Sequence, residues 1–111
     1  MEWQIESRNV DMTPRWKTEI RSRLAGLTRG NSDLLHARVT LTKNRHHKKL
    51  NNGAEALLVL KLPSRRTITA RKRDKTFEEA IRASFAAAAV EVRKLRDRRN
   101  SRKVGAVHAY V

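Results

Sequence analysis

The strongest pattern in the chain is a long amphipathic helix between Thr76 and Arg99. Its apolar residues recur at steps of three and four, which confines them to an arc of roughly 80° around the helix. Thr76 is a suitable N-cap, and Glu79 stands three residues later, where its carboxylate can complete a capping box. Because Arg99 falls on the apolar stripe, we expect the helix to have left its packing surface by that point. The stripe consists of Phe77, Ile81, Phe85, Ala88, Val92 and Leu95.

A second amphipathic helix is predicted to begin at Pro14 and to end at Gly30 and Asn31. Thr13 is its N-cap, and proline is well tolerated in the first position because the N–H there has no partner within the helix. Cations occupy the face opposite the apolar stripe. The stripe consists of Trp16, Ile20, Leu24 and Leu27.

Four further segments read as strands. Residues 3–8, 35–42 and 66–73 alternate between apolar and polar positions, which is typical of strands with one buried face. Residues 54–62 are apolar at nearly every position and predict a central strand. Residues 43–53 form a polar loop, and residues 100–111 have no regular period. The residues expected to face inward include Trp3, Ile5, Leu35, Ala37, Val39, Leu41, Ile68 and Ala70.

The predicted order is therefore β-α-β-β-β-α. A right-handed crossover would make the first two strands parallel neighbours, and the remaining strands would form an antiparallel meander. Both helical stripes must then cover the same sheet face, which predicts an α+β two-layer sandwich with a four-stranded mixed sheet. We expect one domain over residues 1–99, followed by a basic, mobile tail over residues 100–111.

Charge narrows the class of partner. The chain has 26 lysine and arginine residues against 11 aspartate and glutamate residues, a net charge of +15. Such an excess on 111 residues predicts a polyanionic partner, and nucleic acid is the best candidate. The chain has no cysteine and no apolar run long enough for a membrane span, and its first residues lack the basic-then-apolar order that is typical of a secretory signal. We therefore expect a cytoplasmic protein without membrane contact.

The cations cluster in three places: the loop 43–49, the strand 66–73 and the facing parts of the two helices. The last cluster is expected to join Arg23 and Arg29 to Lys94 and Arg98. Because four of the five aromatic residues lie on apolar stripes and only Tyr110 does not, recognition is predicted to use phosphates and RNA shape. The candidate RNA-binding residues are Arg23, Arg29, Lys43, Arg45, Lys48, Lys49, Arg66, Arg71, Arg73, Arg93, Lys94 and Arg98.

Catalysis has little support in the sequence. His46 and His47 are the only tempting pair, and no acidic residue stands near them to orient an imidazole or to complete a metal site. The chain contains no glycine-rich phosphate loop and no nucleophile motif. We expect no enzyme activity, no metal and no cofactor.

Several stretches resemble the ribosome hibernation promoting factors, also called ribosome-associated inhibitors or sigma-54 modulation proteins. They are I-x-S-R-N-V-x-M-T-P from Ile5, R-L-A-G-L from Arg23, and E-A-I…V-R-K-L-R from Glu79, within residues 2–99. The resemblance implies a protein that binds the 16S rRNA of the small ribosomal subunit. It would occupy the mRNA channel and the A and P tRNA sites, compete with tRNA and mRNA, and silence translation under stress.

Carried over by position, the basic residues of that family fall on Arg8, Arg23, Arg29 and Lys94. The chain departs from the family pattern in the middle of the second helix, where residues 86–90 are uncharged, and at Gly26, where a lysine is common. Nothing follows Val111 in this sequence, so we expect a short form without the dimerising domain of long members. Such a form would be a monomer off the ribosome.

Two other interpretations stay open. A general module for double-stranded or structured RNA would share this fold and charge, and it would bind free duplex RNA as tightly as ribosomes. An enzyme that modifies or cleaves RNA would depend on His46 or His47, and an alanine substitution there would abolish its activity.

Overall fold

All six predicted elements are present in the structure, in the predicted order. It is a computed structural model that describes the backbone of residues 2–30, 34–44 and 53–108, and the side chains of these residues apart from 30 and 99–108. The elements are β1 (Glu2–Arg8), α1 (Pro14–Gly30), β2 (His36–Lys43), β3 (Ala54–Lys61), β4 (Thr67–Asp74) and α2 (Phe77–His108).

The strands form one sheet in the order β1-β2-β3-β4. β1 runs parallel to β2, and the pairs β2–β3 and β3–β4 are antiparallel. This confirms the mixed sheet with a meander, and it places the apolar strand β3 in the interior of the sheet. β1 and β4 are the edge strands of the described sheet.

The register of the strands determines which side chains share a face of the sheet. Val39 lies opposite Ile5 on one side and Leu58 on the other, and Leu58 lies opposite Ala70. These residues point to the face that both helices cover. The fully buried residues of the core include Ile20 and Leu24 from α1, Val39, Leu41, Leu58 and Leu60 from the sheet, and Ile81 from α2. The predicted α+β sandwich is thus confirmed.

Each helix begins at its predicted N-cap. The Thr13 Oγ1 accepts a hydrogen bond from the backbone N–H of Trp16 at 3.2 Å, and the Thr76 Oγ1 accepts one from the N–H of Glu79 at 3.2 Å. These bonds satisfy donors that a helix start leaves without an intrahelical partner. The carboxyl group of Glu79 forms a hydrogen bond with Asp74, which precedes the helix.

The first residues of β2 differ from the prediction. Leu35 was expected to point inward, but its side chain is 57% exposed, and Leu34 is buried instead. Leu35 lies just before the strand. Its N–H donates to the carbonyl oxygen of Lys61 at 2.9 Å, and its carbonyl oxygen accepts from Glu2 at 3.4 Å. The backbone of Leu35 is therefore held at the end of the sheet, and the preceding residue, Leu34, packs into the core instead.

α2 also extends farther than predicted. Its apolar contact with the core ends near Leu95, but the helix continues through Arg99 to His108. The expectation that regular structure ends at Arg99 is wrong, because a helix that has already formed is propagated by one backbone hydrogen bond per residue and needs no apolar period to continue. At 1.5 Å per residue, residues 100–108 extend the helix by about 14 Å. The division into a domain at 1–99 and a mobile tail stays a prediction.

A tight turn joins β3 to β4. Ser64 and Arg65 both have left-handed backbone conformations, with φ of 65° and 60°. Two successive residues of this kind are typical of a type I′ hairpin turn, which usually contains asparagine or glycine. The N–H of Leu62 closes the hairpin by donating to the carbonyl oxygen of Arg66 at 2.9 Å.

Candidate nucleic-acid interface

The starts of the two helices are clamped together by Trp16. Its indole Nε1 donates a hydrogen bond to the Glu78 Oε1 at 3.0 Å, and its ring lies 4.6 Å from that of Phe77, measured between centroids. Both helices begin at this end of the sheet and run along it in the same direction. Residues at equal distances from the two helix starts therefore lie at similar levels, as Arg29 does with Val92.

The two flanks of α2 carry different cations. Ala87, Glu91 and Leu95 line a groove shared with β4, so this flank faces the sheet edge. Lys94 belongs to the same flank, because its Nζ lies 3.4 Å from the Glu91 Oε1. Arg98 follows Lys94 by four residues, about one turn later, and lies on this flank as well.

Arg93 and Arg96 lie on the other flank of α2. Arg96 follows Glu78 by five helical turns, so it shares the side of α2 that contacts Trp16 of α1. Arg93 precedes Arg96 by three residues and lies nearby on the same side. This flank faces α1.

The patch predicted to join the helices is therefore divided. On α2, Arg93 lies on the flank toward α1, whereas Lys94 and Arg98 lie on the flank toward the β4 edge. The angle of each cation to the apolar stripe decides on which flank of α2 it lies, and by this measure Arg96 is a neighbour of Arg93.

Arg23 and Arg29 have different surroundings. The Arg23 guanidinium lies 3.2 Å from the Glu19 Oε1, in an (i, i+4) ion pair whose side chains are both partly buried. Arg29 is exposed in the last turn of α1, where a cation also interacts favourably with the helix dipole. We call Arg23, Arg29 and Arg93 the inter-helix group.

A second group follows the outer edge of the sheet. Arg71 lies on β4, and Arg66 precedes that strand in the hairpin. With Lys94 and Arg98 on the adjacent flank of α2, they form what we call the β4-edge group. Lys72, which was not among the predicted residues, lines the same groove. Neighbouring residues of a strand point to opposite faces, so the choice of Arg71 gave no indication that Lys72 lies at the same groove.

The remaining predicted cations lie at the end of the sheet where the helices begin. Arg8 and Lys43 are exposed at the ends of β1 and β2. Arg73 lies nearby on β4, and its Nε is 2.9 Å from the Oε1 of the largely buried Glu55. Arg45, Lys48 and Lys49 lie outside the described residues.

Acidic residues are concentrated at the start of α2. The hydrogen bond from Trp16 lowers the pKa of Glu78, and a second contribution comes from a backbone hydrogen bond. The hydrogen bond with Asp74 raises the pKa of Glu79, and the charge of Asp74 acts in the same direction. On α2, the first turn is therefore acidic, and most of the described cations lie from Arg93 onward.

The described residues provide few groups for other chemistry. Over these ranges, His, Cys, Asp and Glu side chains form no group of three or more that could hold a metal ion. His36 lies on the open sheet face with its Nδ1 3.9 Å from the Glu2 Oε2. The pair His46–His47 is outside the described ranges. Among the described helices, none combines the length and the apolar composition required to cross a membrane.

These features define a class of small basic α+β domain whose cations form separate groups around a two-layer sandwich. Residues 3–100 match the family described as sigma 54 modulation protein / S30EA ribosomal protein, and the chain belongs to that family. A comparison with curated protein sequences found no match.

Two solved structures share the fold. A ribosomal subunit interface protein from Coxiella burnetii superposes with a TM-score of 0.74 at 15% sequence identity, over 87% of this chain and 99% of the other. The N-terminal domain of Protein Y from Thermus thermophilus superposes with a TM-score of 0.68 at 21% identity, over 83% and 94%. At these identities the likeness concerns the fold.

Proposed function

We propose that this protein is a ribosome hibernation factor that inhibits translation in the cytoplasm under stress. It binds the 16S rRNA of the small subunit at the mRNA channel and the A and P tRNA sites, and it excludes tRNA and mRNA sterically without catalysing a reaction. Membership of the family over residues 3–100 is the observation that carries this proposal. The names of the two similar structures, a subunit interface protein and Protein Y, agree with it.

The charge distribution supports contact with RNA phosphates. The inter-helix group and the β4-edge group flank α2 on both sides, and arginine can hold a phosphate through two parallel hydrogen bonds. Arg8, Lys43 and Arg73 would add contacts at the opposite end of the sheet, and the cations Arg45, Lys48 and Lys49 of the loop are further candidates for phosphate contact. If about six phosphates are neutralised, the affinity falls with salt at a log–log slope near −5.

The experiment is co-sedimentation of the whole chain with purified small ribosomal subunits at moderate salt. We expect saturation near one copy per subunit, and release when tRNA and mRNA occupy their sites beforehand. Binding of many copies per subunit, or binding that is indifferent to tRNA, would contradict the proposal.

Charge reversals locate the surface that binds. Arg29→Glu and Lys94→Glu, one from each group, are each expected to weaken binding about tenfold by loss of a phosphate contact. Lys61→Glu is the matched control, because it makes the same change in net charge on the open face of the sheet, away from both helices. If the control weakened binding as much as the two test variants, only net charge would matter.

Free duplex RNA separates this proposal from the general RNA-binding module. A duplex of one helical turn or more presents a comparable density of phosphates but no channel between subunit domains. We expect binding to it to be much weaker than binding to small subunits at the same salt concentration. Equal affinities would favour the general module, and the likeness to the family would then be one of fold.

A further inference from the structure

A groove runs along the free edge of the sheet, between β4 and α2. It has a volume of about 410 Å³ and is lined by residues 67–72 of β4 and by Ala87, Glu91 and Leu95 of α2. Successive residues of a strand point to opposite faces, so six consecutive residues can line one groove only if it follows the strand's outer edge. Over the described ranges, β4 pairs with β3 alone.

The outer edge of β4 therefore presents backbone N–H and C=O groups that another extended chain can pair with. Such pairing adds a strand to a sheet, and side-chain pockets beside the edge provide specificity. This groove provides both features. β4 provides the unpaired backbone groups, and the α2 side chains Ala87 and Leu95 form a small apolar surface beside them.

Charge indicates the kind of chain that would fit. Arg71 and Lys72 line the groove from the strand, and Lys94 and Arg98 extend along the same flank of α2. Glu91 is the one acidic residue among those that line the groove, and Lys94 neutralises it at 3.4 Å. A second copy of this chain, with its net charge of +15, would be repelled.

We propose that this groove binds an acidic peptide segment of another protein, in extended conformation, as a fifth strand beside β4. In the bound segment, small apolar residues would face Ala87 and Leu95, and carboxylates at alternate positions would face Arg71 on the open side of the sheet. A nucleic acid could contact the cations and single backbone N–H groups, but it has no alternating N–H and C=O groups with which to continue the strand ladder, and this distinguishes the two kinds of ligand. The proposal does not rest on the ribosomal function, although Arg71, Lys94 and Arg98 would serve both.

The probe is a fluorescein-labelled peptide of four Val-Glu repeats, and its binding is followed by fluorescence anisotropy. A peptide of four Pro-Glu repeats has the same charges, but proline cannot donate to a strand ladder. We expect the proline peptide to bind about tenfold more weakly or worse. Equal binding of the two peptides would mean diffuse charge attraction and would overturn the proposal.

Two variants test the position of the site. Ala87→Trp fills the groove, whereas Ala86→Trp places the same ring on the exposed face of α2 next to it. The first is expected to weaken peptide binding about tenfold, and the second to leave it unchanged. Thermal melting checks that both fold. The Ala87→Trp chain should still sediment with small subunits, because Ala87 belongs to neither cationic group.

Amide hydrogen exchange on the unmodified chain gives an answer that needs no variant. Binding of the Val-Glu peptide should slow exchange along β4, while the other edge strand, β1, stays unchanged. Protection of β1, or of neither strand, would overturn the proposal. The proposal would also be overturned if Ala87→Trp weakened the binding of a labelled RNA octamer as much as it weakened the binding of the peptide. If the chain associated with itself and Ala87→Trp abolished this self-association, the groove would instead be assigned to a second copy.

Discussion

The clamp between Trp16 and Glu78 is expected to stabilise the fold in a way that depends on pH. The substitution Trp16→Phe keeps an aromatic ring against Phe77 but removes the Nε1–H that donates to Glu78 at 3.0 Å. Glu78→Gln removes the negative charge of the acceptor and keeps its shape. Because the charge of Glu78 acts through this hydrogen bond, the effects of the two changes on the free energy of unfolding should not add.

The magnitude follows from the setting of this bond. A hydrogen bond to a charged group contributes about 1.5–3 kcal/mol when it is shielded from water. Both partners are partly exposed here, so we expect a coupling free energy of about 1 kcal/mol. The bond lowers the pKa of Glu78 in the folded chain, so its charged contribution is present above the ordinary value of 4.5 and is lost as the pH falls through the lowered pKa.

The assay is a double-mutant cycle by urea denaturation, at neutral pH and at a pH well below 4.5. The coupling should fall toward zero at the acidic pH, because protonated Glu78 is then a neutral acceptor like the glutamine that replaces it. NMR titration of Glu78 should show its pKa rising in the Trp16→Phe chain. A coupling near zero at neutral pH, or one that is equal at both pH values, would refute the reasoning.

Three further predictions concern the stability of the sandwich. Arg65→Gly should raise the free energy of unfolding by about 1 kcal/mol, because glycine adopts a φ near 60° without strain; an unchanged urea midpoint would contradict this. Leu58→Ala should lower it by about 3 kcal/mol, because the side chain is fully buried on an interior strand; a loss below about 1 kcal/mol would show that the core collapses around the cavity. Asp74→Asn should stabilise the chain at neutral pH and reduce its dependence on pH, as measured by thermal melting across the acidic range. The reason is that the pKa of Glu79 is raised in the folded chain, so the pair of carboxyl groups favours folding at acidic pH. This contribution is lost as the pH rises through the raised pKa. Identical pH profiles for the unmodified and the Asp74→Asn chains would exclude such a pair.

The elements, their order and both N-caps could be predicted from the sequence because their determinants are local. A cap depends on one side chain and a backbone N–H three residues away, and burial follows the period of a helix or a strand. The inward direction of Val39 and Ala70 was predictable for that reason. At the ends of elements the period no longer applies, which explains why Leu34 rather than Leu35 is buried and why α2 continues to His108.

The candidate interface was only partly predictable. Net charge and the resemblance indicated a polyanionic partner and named the cations, and family membership confirms the class of protein. The grouping of those cations depends on the rotation of α2 relative to the sheet and on the side where α1 packs. Arg93 and Lys94 are neighbours in sequence, yet they lie on opposite flanks because successive helical residues are about 100° apart.

By itself, then, the sequence determined a basic α+β sandwich with capped helices, since composition and short-range periodicity require no knowledge of distant contacts, and its charge made an anionic partner the expectation. Only the tertiary structure decided which cations lie together, which strand has a free edge and which carboxyl groups share a hydrogen bond. The contacts Trp16–Glu78 and Ala87–β4 join residues that are far apart or unrelated in the pattern. Such contacts depend on how the packed layers are positioned, which no local signal encodes.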